Sequence, residues 1–482
     1  MSKRRLNLRN GCMDRRAKVA VVGGGVAGVT AALAVATAGC DVILFEEKET
    51  LVGGPPFCHL HAGGNLYREI SDAQCVTLLR QSIEFARLYP FAVDKRPTVI
   101  AVPVDDGGRP EDLLSRLEML RQHYARLVDE DSANAVLGTP DDYFTLFDEH
   151  RLAKAAKEAG NDRLPESPDG WMAPLARRLN KELVRFPLIL VQEYGLNLFR
   201  LSAGAKLLLG RMSGVDLRLG TRVRRVRRQD KGFLVGTDRD EVYADYLVNA
   251  AGFRTGEIDN MLGLTPRRMV EFKAAYTAWW KKRERYWPEV IFHGRRGTPK
   301  GMGQFTPYAG GYVQLHGMTR EITLFDDGLV ASTAHDAFPK LPDRLRERII
   351  KGWSADEVAR RTGRAVAHVA RFLPDFNEAE VGGPPLFGAQ QIPGDDPALR
   401  VAEVAFDVPR YARCEIVKVS SVTDMARSLL RDLAKEGLVH STSSVGLRQL
   451  DDLNEETLIK EACSIARQRN FPEYMAYRMV DN

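Results

Sequence analysis

The chain has few cysteines, and none are paired closely in sequence. Cys12, Cys40, Cys58, Cys75, Cys414 and Cys463 are scattered over 482 residues with no CxxC. This spacing excludes a zinc knuckle and a disulfide framework, and it fits a reducing compartment. No stretch approaches the roughly 18–20 consecutive apolar residues that cross a bilayer. The opening residues, MSKRRLNLRNGCMDRRAK, contain no apolar core, so they do not read as a secretory signal. We therefore expect a cytoplasmic protein. Its basic tail, residues 1–16, leaves peripheral contact with anionic lipid open. Charge of one sign is also scarce. A net charge of +5 is too small to imply nucleic acid, and it suits anionic small molecules.

What is present fits a globular protein: 44% of residues are hydrophobic and 28% charged. At 482 residues it should divide into two or three lobes. The first organised stretch is AKVAVVGGGVAGVTAALAVATAGCDVILFEEKE, residues 17–49. Val19–Val22 reads as a buried parallel strand and Val29–Ala38 as a helix of small residues. Asp41–Phe45 reads as a second strand that ends at Glu46 and Glu47. Between the first strand and the helix stand Gly23, Gly25 and Gly28, with Val26 and Ala27 filling the GxGxxG spacing. The first glycine serves the tight turn, the second the approach of a pyrophosphate, and the third close helix packing. The helix start offers free N–H groups to phosphate, and Glu46 stands where an acid holds ribose hydroxyls. These features predict a dinucleotide site and leave NAD and FAD both open.

Two later segments bear on that choice. Residues 215–252 read as a strand near Thr221–Val226, a hairpin, and the apolar strand Tyr246–Asn249, followed by Ala250-Ala251-Gly252. Residues 414–435, CEIVKVSSVTDMARSLLRDLAK, read as a short strand, a serine turn and an amphipathic helix. Together with the βαβ unit they resemble the FAD-dependent oxidoreductases of the D-amino acid oxidase-like superfamily. Glycine oxidase, 2-hydroxyglutarate oxidase and dimethylglycine dehydrogenase are members of the type. The resemblance implies FAD as cofactor, with Val223 along the adenine and Ala251 and Gly252 near the pyrophosphate. It also puts Ser420, Ser421 and Val422 at the flavin pyrimidine. A loop running under the flavin is implied for CHLHAGGNLYREI, beginning at Gly53 and Gly54 and passing through His61, Ala62, Gly63 and Gly64.

The same resemblance implies the fold class: α/β, with a Rossmann-type FAD-binding domain built from discontinuous segments and a mixed-sheet substrate domain. We assign 17–75, 215–265 and 395–435 to the FAD domain, and 76–214 and 266–394 to the substrate or cap domain. Residues 436–482 form a C-terminal extension. The expected reaction is oxidation of the C–N or C–OH bond of a small amino or hydroxy acid, by hydride transfer from the C–H of the carbon bearing the amine or hydroxyl to flavin N5. Oxygen, a quinone or an electron carrier would be the acceptor. A biosynthetic enzyme acting on a larger or tethered substrate, or a non-enzymatic flavin-binding protein, is the alternative.

Among side chains that would touch substrate, His61 could contact or attach to the flavin, and His316 in GQFTPYAGGYVQLH could take a hydroxyl proton. Tyr308 and Tyr312 could line the pocket. Arg413, with Lys418 and Arg68 as alternatives, could fork a substrate carboxylate. No metal site is expected, since His59 and His61 have no third and fourth ligand nearby. Arg222, Arg224, Arg225, Arg227 and Arg228 read as a solvated hairpin. The stretch WSADEVARRTGRAVAHVARFL, residues 353–373, has the look of a helix-turn-helix. We expect it instead to form two short helices of the substrate domain.

Overall fold

The computed structural model describes residues 15–54, 60, 70–158, 163–281, 284–397, 399, 404–439 and 453–479. The βαβ unit forms where its spacing predicts: strand Lys18–Val22, helix Val26–Thr37 and strand Asp41–Phe45. The two strands pair in parallel, Ala20 beside Ile43. Small residues cover almost every side of the helix, so it is buried nearly all round, from Ala27 to Val35.

Around this unit a six-stranded sheet draws in distant parts of the chain. Its order is Val404–Ala405, Tyr411–Cys414, Tyr246–Asn249, Lys18–Val22, Asp41–Phe45, Val215–Arg218. Only the edge strand Val404–Ala405 runs antiparallel to its neighbour. The three sequence segments therefore close into one largely parallel sheet, with helices on one face and mainly a small antiparallel sheet on the other, and the strand ends form a crevice for a ligand. The small sheet consists of Arg225–Gln229, Gly232–Gly236 and Glu241–Ala244. Its arginines pair across the surface, Arg224 with Asp238 and Arg227 with Glu241.

The second lobe is a large mixed sheet centred on the long strand Arg268–Trp279. One face, carrying Phe272, Tyr276, Phe305 and Leu315, packs on helices through Met172, Leu175, Val366 and Val369. The other face turns to the first lobe: Ile100, Ile189 and Val191 share one apolar cluster with Val19, Val21 and Leu33. Residues 76–214 serve both lobes. Helices Asp72–Leu88 and Leu198–Arg211 bury Leu78, Ile83, Leu201 and Leu208 in the core of the first lobe.

The helix-turn-helix look of residues 353–373 resolves differently from either reading. A single helix, Ala355–Ala370, runs straight through Gly363. A mid-helix glycine costs about 1 kcal/mol, and the buried face of Ala365, Val366 and Val369 outweighs it. Ser354 caps the helix, accepting from the Glu357 N–H at 3.3 Å.

Candidate cofactor and active site

The three glycines of the first turn meet three different surroundings. Gly23 has φ +103°, and a Cβ there would sit 2.3 Å from the Ala250 carbonyl oxygen. A Cβ on Gly28 would lie 1.7 Å from the Gly23 oxygen. At Gly25 a Cβ would meet nothing within 4 Å. The protein itself therefore requires the first and third glycines, whereas the second faces open space that a ligand can fill. Helix Val26–Thr37 starts there without a side-chain cap and without an acid in its first turn, so its N–H groups stay available to an anion.

Glu46 is held in place by two backbone donors, Gly24 N–H to Oε2 at 2.6 Å and Lys48 N–H to Oε1 at 2.8 Å. Burial pushes its carboxyl pKa up, although both donors oppose the shift. A cleft open to solvent is lined by Gly23, Gly25, Glu46, Glu47, Gly53, Gly54, Val223, Ala251 and Gly252. Arg254 and Arg222 stand at the same cleft and pair with Glu257 at 2.6 and 2.9 Å. An open second glycine, an uncapped helix start and a pre-held acid are the donor set that a dinucleotide such as FAD needs. Val26 and Ala27 lie in the first turn of the helix.

The third segment offers backbone rather than side chains. Ser420, Ser421 and Val422 are buried at the start of helix Val422–Lys435. The Ser421 hydroxyl donates to Gln81 Oε1 at 3.1 Å, toward helix Asp72–Leu88. What remains available is the helix start, again without a side-chain cap.

Opposite the crevice, the large sheet carries a buried polar row that sequence reading located only in part. Thr98 pairs with Glu289, Thr306 with Gln314, and Gln314 with Thr277. None of these five exceeds 2% exposure, and all share the face of Ile100 and Ile189 that looks toward the first lobe. The Gln304 amide joins the pairs, donating to Glu289 Oε1 at 2.7 Å and to Thr306 Oγ1 at 3.1 Å. Arg96 neutralises Glu289 at 3.1 Å and Asp94 at 3.0 Å. Near one end, Lys273 donates to Gln390 Oε1 at 2.8 Å, and Gln390 donates to the Val417 carbonyl in the third segment at 2.9 Å. Burying this many polar groups costs free energy unless they are bonded, and the contacts within the row supply such bonds.

His316 follows Gln314 on the same strand and face. The Tyr308 hydroxyl donates to Gln314 Oε1 at 3.0 Å, which leaves the Gln314 NH₂ as donor to His316 Nε2 at 2.9 Å. A neutral imidazole in this arrangement carries its proton on Nδ1. That nitrogen is buried and has no hydrogen-bond partner among the described residues. His316 thus offers a donor to an oxygen, whereas the expected role of taking a hydroxyl proton needs a lone pair at the free nitrogen.

Arg413 does not face the cleft. Its side chain is 2% exposed and its Nε donates to both oxygens of Asp259, at 3.0 and 2.9 Å, while a terminal nitrogen pairs with Asp407. Its fork is committed inside the protein and is not free to hold a substrate carboxylate. Tyr312 stacks on Tyr474, and Tyr308 joins the row through its hydroxyl. His59, His61, Ala62, Gly63, Gly64 and Arg68 lie outside the described residues. One sequence signal did point to the missed groups. Gln304, Thr306, Gln314 and His316 recur at period two among apolar neighbours, as Glu271 and Lys273 do in VEFKAAYTAWW.

Fold and site together define a protein with a dinucleotide domain assembled from three segments and a mixed sheet closing over it. A family model described as FAD dependent oxidoreductase matches residues 18–388, and the chain belongs to that family, abbreviated DAO. It is an FAD-dependent oxidoreductase of α/β fold. No curated protein matches the sequence. Solved structures share the fold at low identity. NikD, an unusual amino acid oxidase essential for nikkomycin biosynthesis, is 16% identical with a TM-score of 0.56, over 92% of this chain and 97% of that one. L-α-glycerophosphate oxidase from Mycoplasma pneumoniae, solved with FAD bound, is 13% identical with a TM-score of 0.55, over 91% and 99%. Glycine oxidase from Geobacillus kaustophilus is 15% identical with a TM-score of 0.53, over 91% and 100%. Among the described residues, no helix is long and apolar enough to cross a membrane.

Proposed function

We propose that this oxidoreductase acts on the C–N or C–OH bond of a small amino or hydroxy acid, with oxygen, a quinone or an electron carrier as the final acceptor. Bound FAD supplies the hydride acceptor at N5. The observation that carries the substrate class is the buried polar row ending at His316, whose Nδ1 has no partner among the described residues. A donor in that position suits the carboxylate or hydroxyl oxygen of a small acid. Thr306, Gln304 and Gln314 hold the neighbouring surface in a fixed hydrogen-bonded order, which orients a small polar molecule without solvent. Arg96 lies against Glu289, so that carboxylate has a counter-charge beside the row. The names of two fold neighbours, an amino acid oxidase and a glycine oxidase, agree with this reading.

The test is anaerobic mixing of the FAD-loaded protein with a panel of amino and hydroxy acids while the visible flavin band is followed. Bleaching by members of the panel supports the proposal, and bleaching by none of them overturns it. Hydrogen peroxide formed on readmitting air then separates an oxidase from a dehydrogenase. Acid precipitation of the same sample reports whether the colour stays with the protein, as a bond through His61 would require.

A further inference from the structure

The family match ends at residue 388, and a helical segment follows far beyond it. Helix Glu455–Gln468 lies along helix Leu198–Arg211, burying Leu458, Ala462 and Ile465 against Leu198, Phe199 and Ala203. It stops at Asn470, whose φ of +59° is left-handed, and the Phe471 N–H returns to the Ala466 carbonyl at 2.9 Å. Asparagine tolerates that conformation better than most residues with a side chain, so the stop is local chemistry. It leaves Arg469 on the last turn, against the first lobe.

Arg469 reaches into the turn between Glu46 and Gly53. Its Nε donates to Thr50 Oγ1 at 3.0 Å, one terminal nitrogen donates to the Val52 carbonyl at 3.2 Å, and the other donates to the Leu51 carbonyl. Burial pushes its pKa down to about 10, so it remains charged at neutral pH. Among the described residues no carboxylate forms an ion pair with it. The turn needs such support. Val52 has φ +57°, a left-handed conformation that a β-branched residue keeps only where its surroundings impose it. Two contacts grip that residue. Its N–H donates to the Gly24 carbonyl at 2.8 Å, inside the phosphate turn, and its own carbonyl accepts from Arg469. Leu51 lies against Gly24 as well, where a Cβ would come within 2.6 Å of Leu51 Cδ2.

We infer that Arg469 is a positioning residue of the FAD site. Through this one side chain the C-terminal helix holds residues 50–54 in their strained form and keeps the phosphate turn in shape before the cofactor arrives. FAD affinity then depends on a segment outside the family's matched domain. Without the prop, binding must order the turn itself, and that cost reduces affinity. The inference is independent of which substrate the enzyme takes.

The test titrates the full-length protein, stripped of flavin, with FAD and follows flavin fluorescence for wild type, Arg469→Ala, Arg469→Lys and Arg467→Ala. Arg467 lies on the same helix but pairs with Glu473 at 2.7 Å, so its variant controls for a loosened helix. Arg469→Ala should weaken FAD binding by roughly tenfold or more, and Arg467→Ala by less than about twofold. Arg469→Lys should recover part of the loss, since an ammonium keeps the charge without the fork. Melting of the flavin-free proteins reports folding separately. Affinity within about twofold of wild type for Arg469→Ala, or an equal loss for Arg467→Ala, overturns the inference. If Arg469→Ala yields no soluble protein, Arg469→Lys decides. Weaker FAD binding with unchanged flavin-free melting supports the role, and wild-type affinity refutes it.

Discussion

Asp259 binds Arg413 through both of its carboxylate oxygens, at 3.0 and 2.9 Å from a single guanidinium nitrogen. The same carboxylate takes Arg268 from the large sheet and the Tyr411 hydroxyl at 2.6 Å. Three parts of the chain meet at this carboxylate: the helix Thr255–Met261, the first residue of the long strand, and the strand Tyr411–Cys414. It is a buried knot that fixes one lobe on the other.

Asp259→Asn should therefore destabilise the protein by about 3–5 kcal/mol, because it leaves two buried arginines without their shared counter-charge. Chemical denaturation of the flavin-free protein measures it. A loss below about 1 kcal/mol, the range of a surface pair, would mean the knot does not hold the lobes together.

The glycines of the phosphate turn should separate folding from binding. Gly25→Ala places its methyl group in open space, so flavin-free melting should stay near wild type while FAD binding falls. Gly28→Ala drives a methyl into the Gly23 carbonyl and should lower both. Parallel melting curves and FAD titrations check the pair, and equal behaviour of the two variants would contradict the assignment of Gly25 to the ligand.

If His316 donates to a substrate oxygen, His316→Ala should raise the substrate concentration for half-maximal flavin bleaching by roughly tenfold or more, with FAD content unchanged. His316→Asn sets an amide near the position of Nδ1 and should regain part of the loss. Unaltered substrate dependence in His316→Ala would remove this residue from the site.

His368 gives a pH dependence of known sign. Its Nε2–H donates to the Gly301 carbonyl at 2.9 Å, and burial pushes its pKa below the ordinary 6.5. The unfolded chain titrates at the ordinary value, so below it the unfolded state takes up a proton that the folded state resists. The stabilising contribution is complete above pH 6.5 and is lost as pH falls toward the depressed pKa. His368→Gln keeps a donor without a titrating group. Unfolding free energies between about pH 5 and 7 should vary less with pH in this variant than in wild type. Identical slopes would show that another group carries the acid sensitivity.

The part of the site that could be read in advance is the part governed by neighbours in sequence. The strand, the turn at Gly23, the helix from Val26 and the acid at Glu46 obey rules that act within one βαβ unit. Residues 353–373 show the limit even of local reading. A glycine that looked like a turn was carried through a helix by an amphipathic face, whose worth depends on the sheet beneath it. Arg413 shows the limit for charge. Its chemistry suited a carboxylate, but the partner it found was Asp259, more than a hundred residues away in the chain.

Residues close together in the chain were enough for the dinucleotide fold and its glycine turn, because close packing and backbone hydrogen bonding leave few alternatives to small residues at that spacing. The buried polar row of the large sheet, by contrast, exists only in the folded chain. Thr98, Glu289, Thr306, Gln314 and Thr277 are one row only because strand register makes them so. A shift of one residue would turn each side chain to the opposite face. Tertiary structure also decided that Arg469 supports the turn at Val52, since that contact depends on where a distant helix packs.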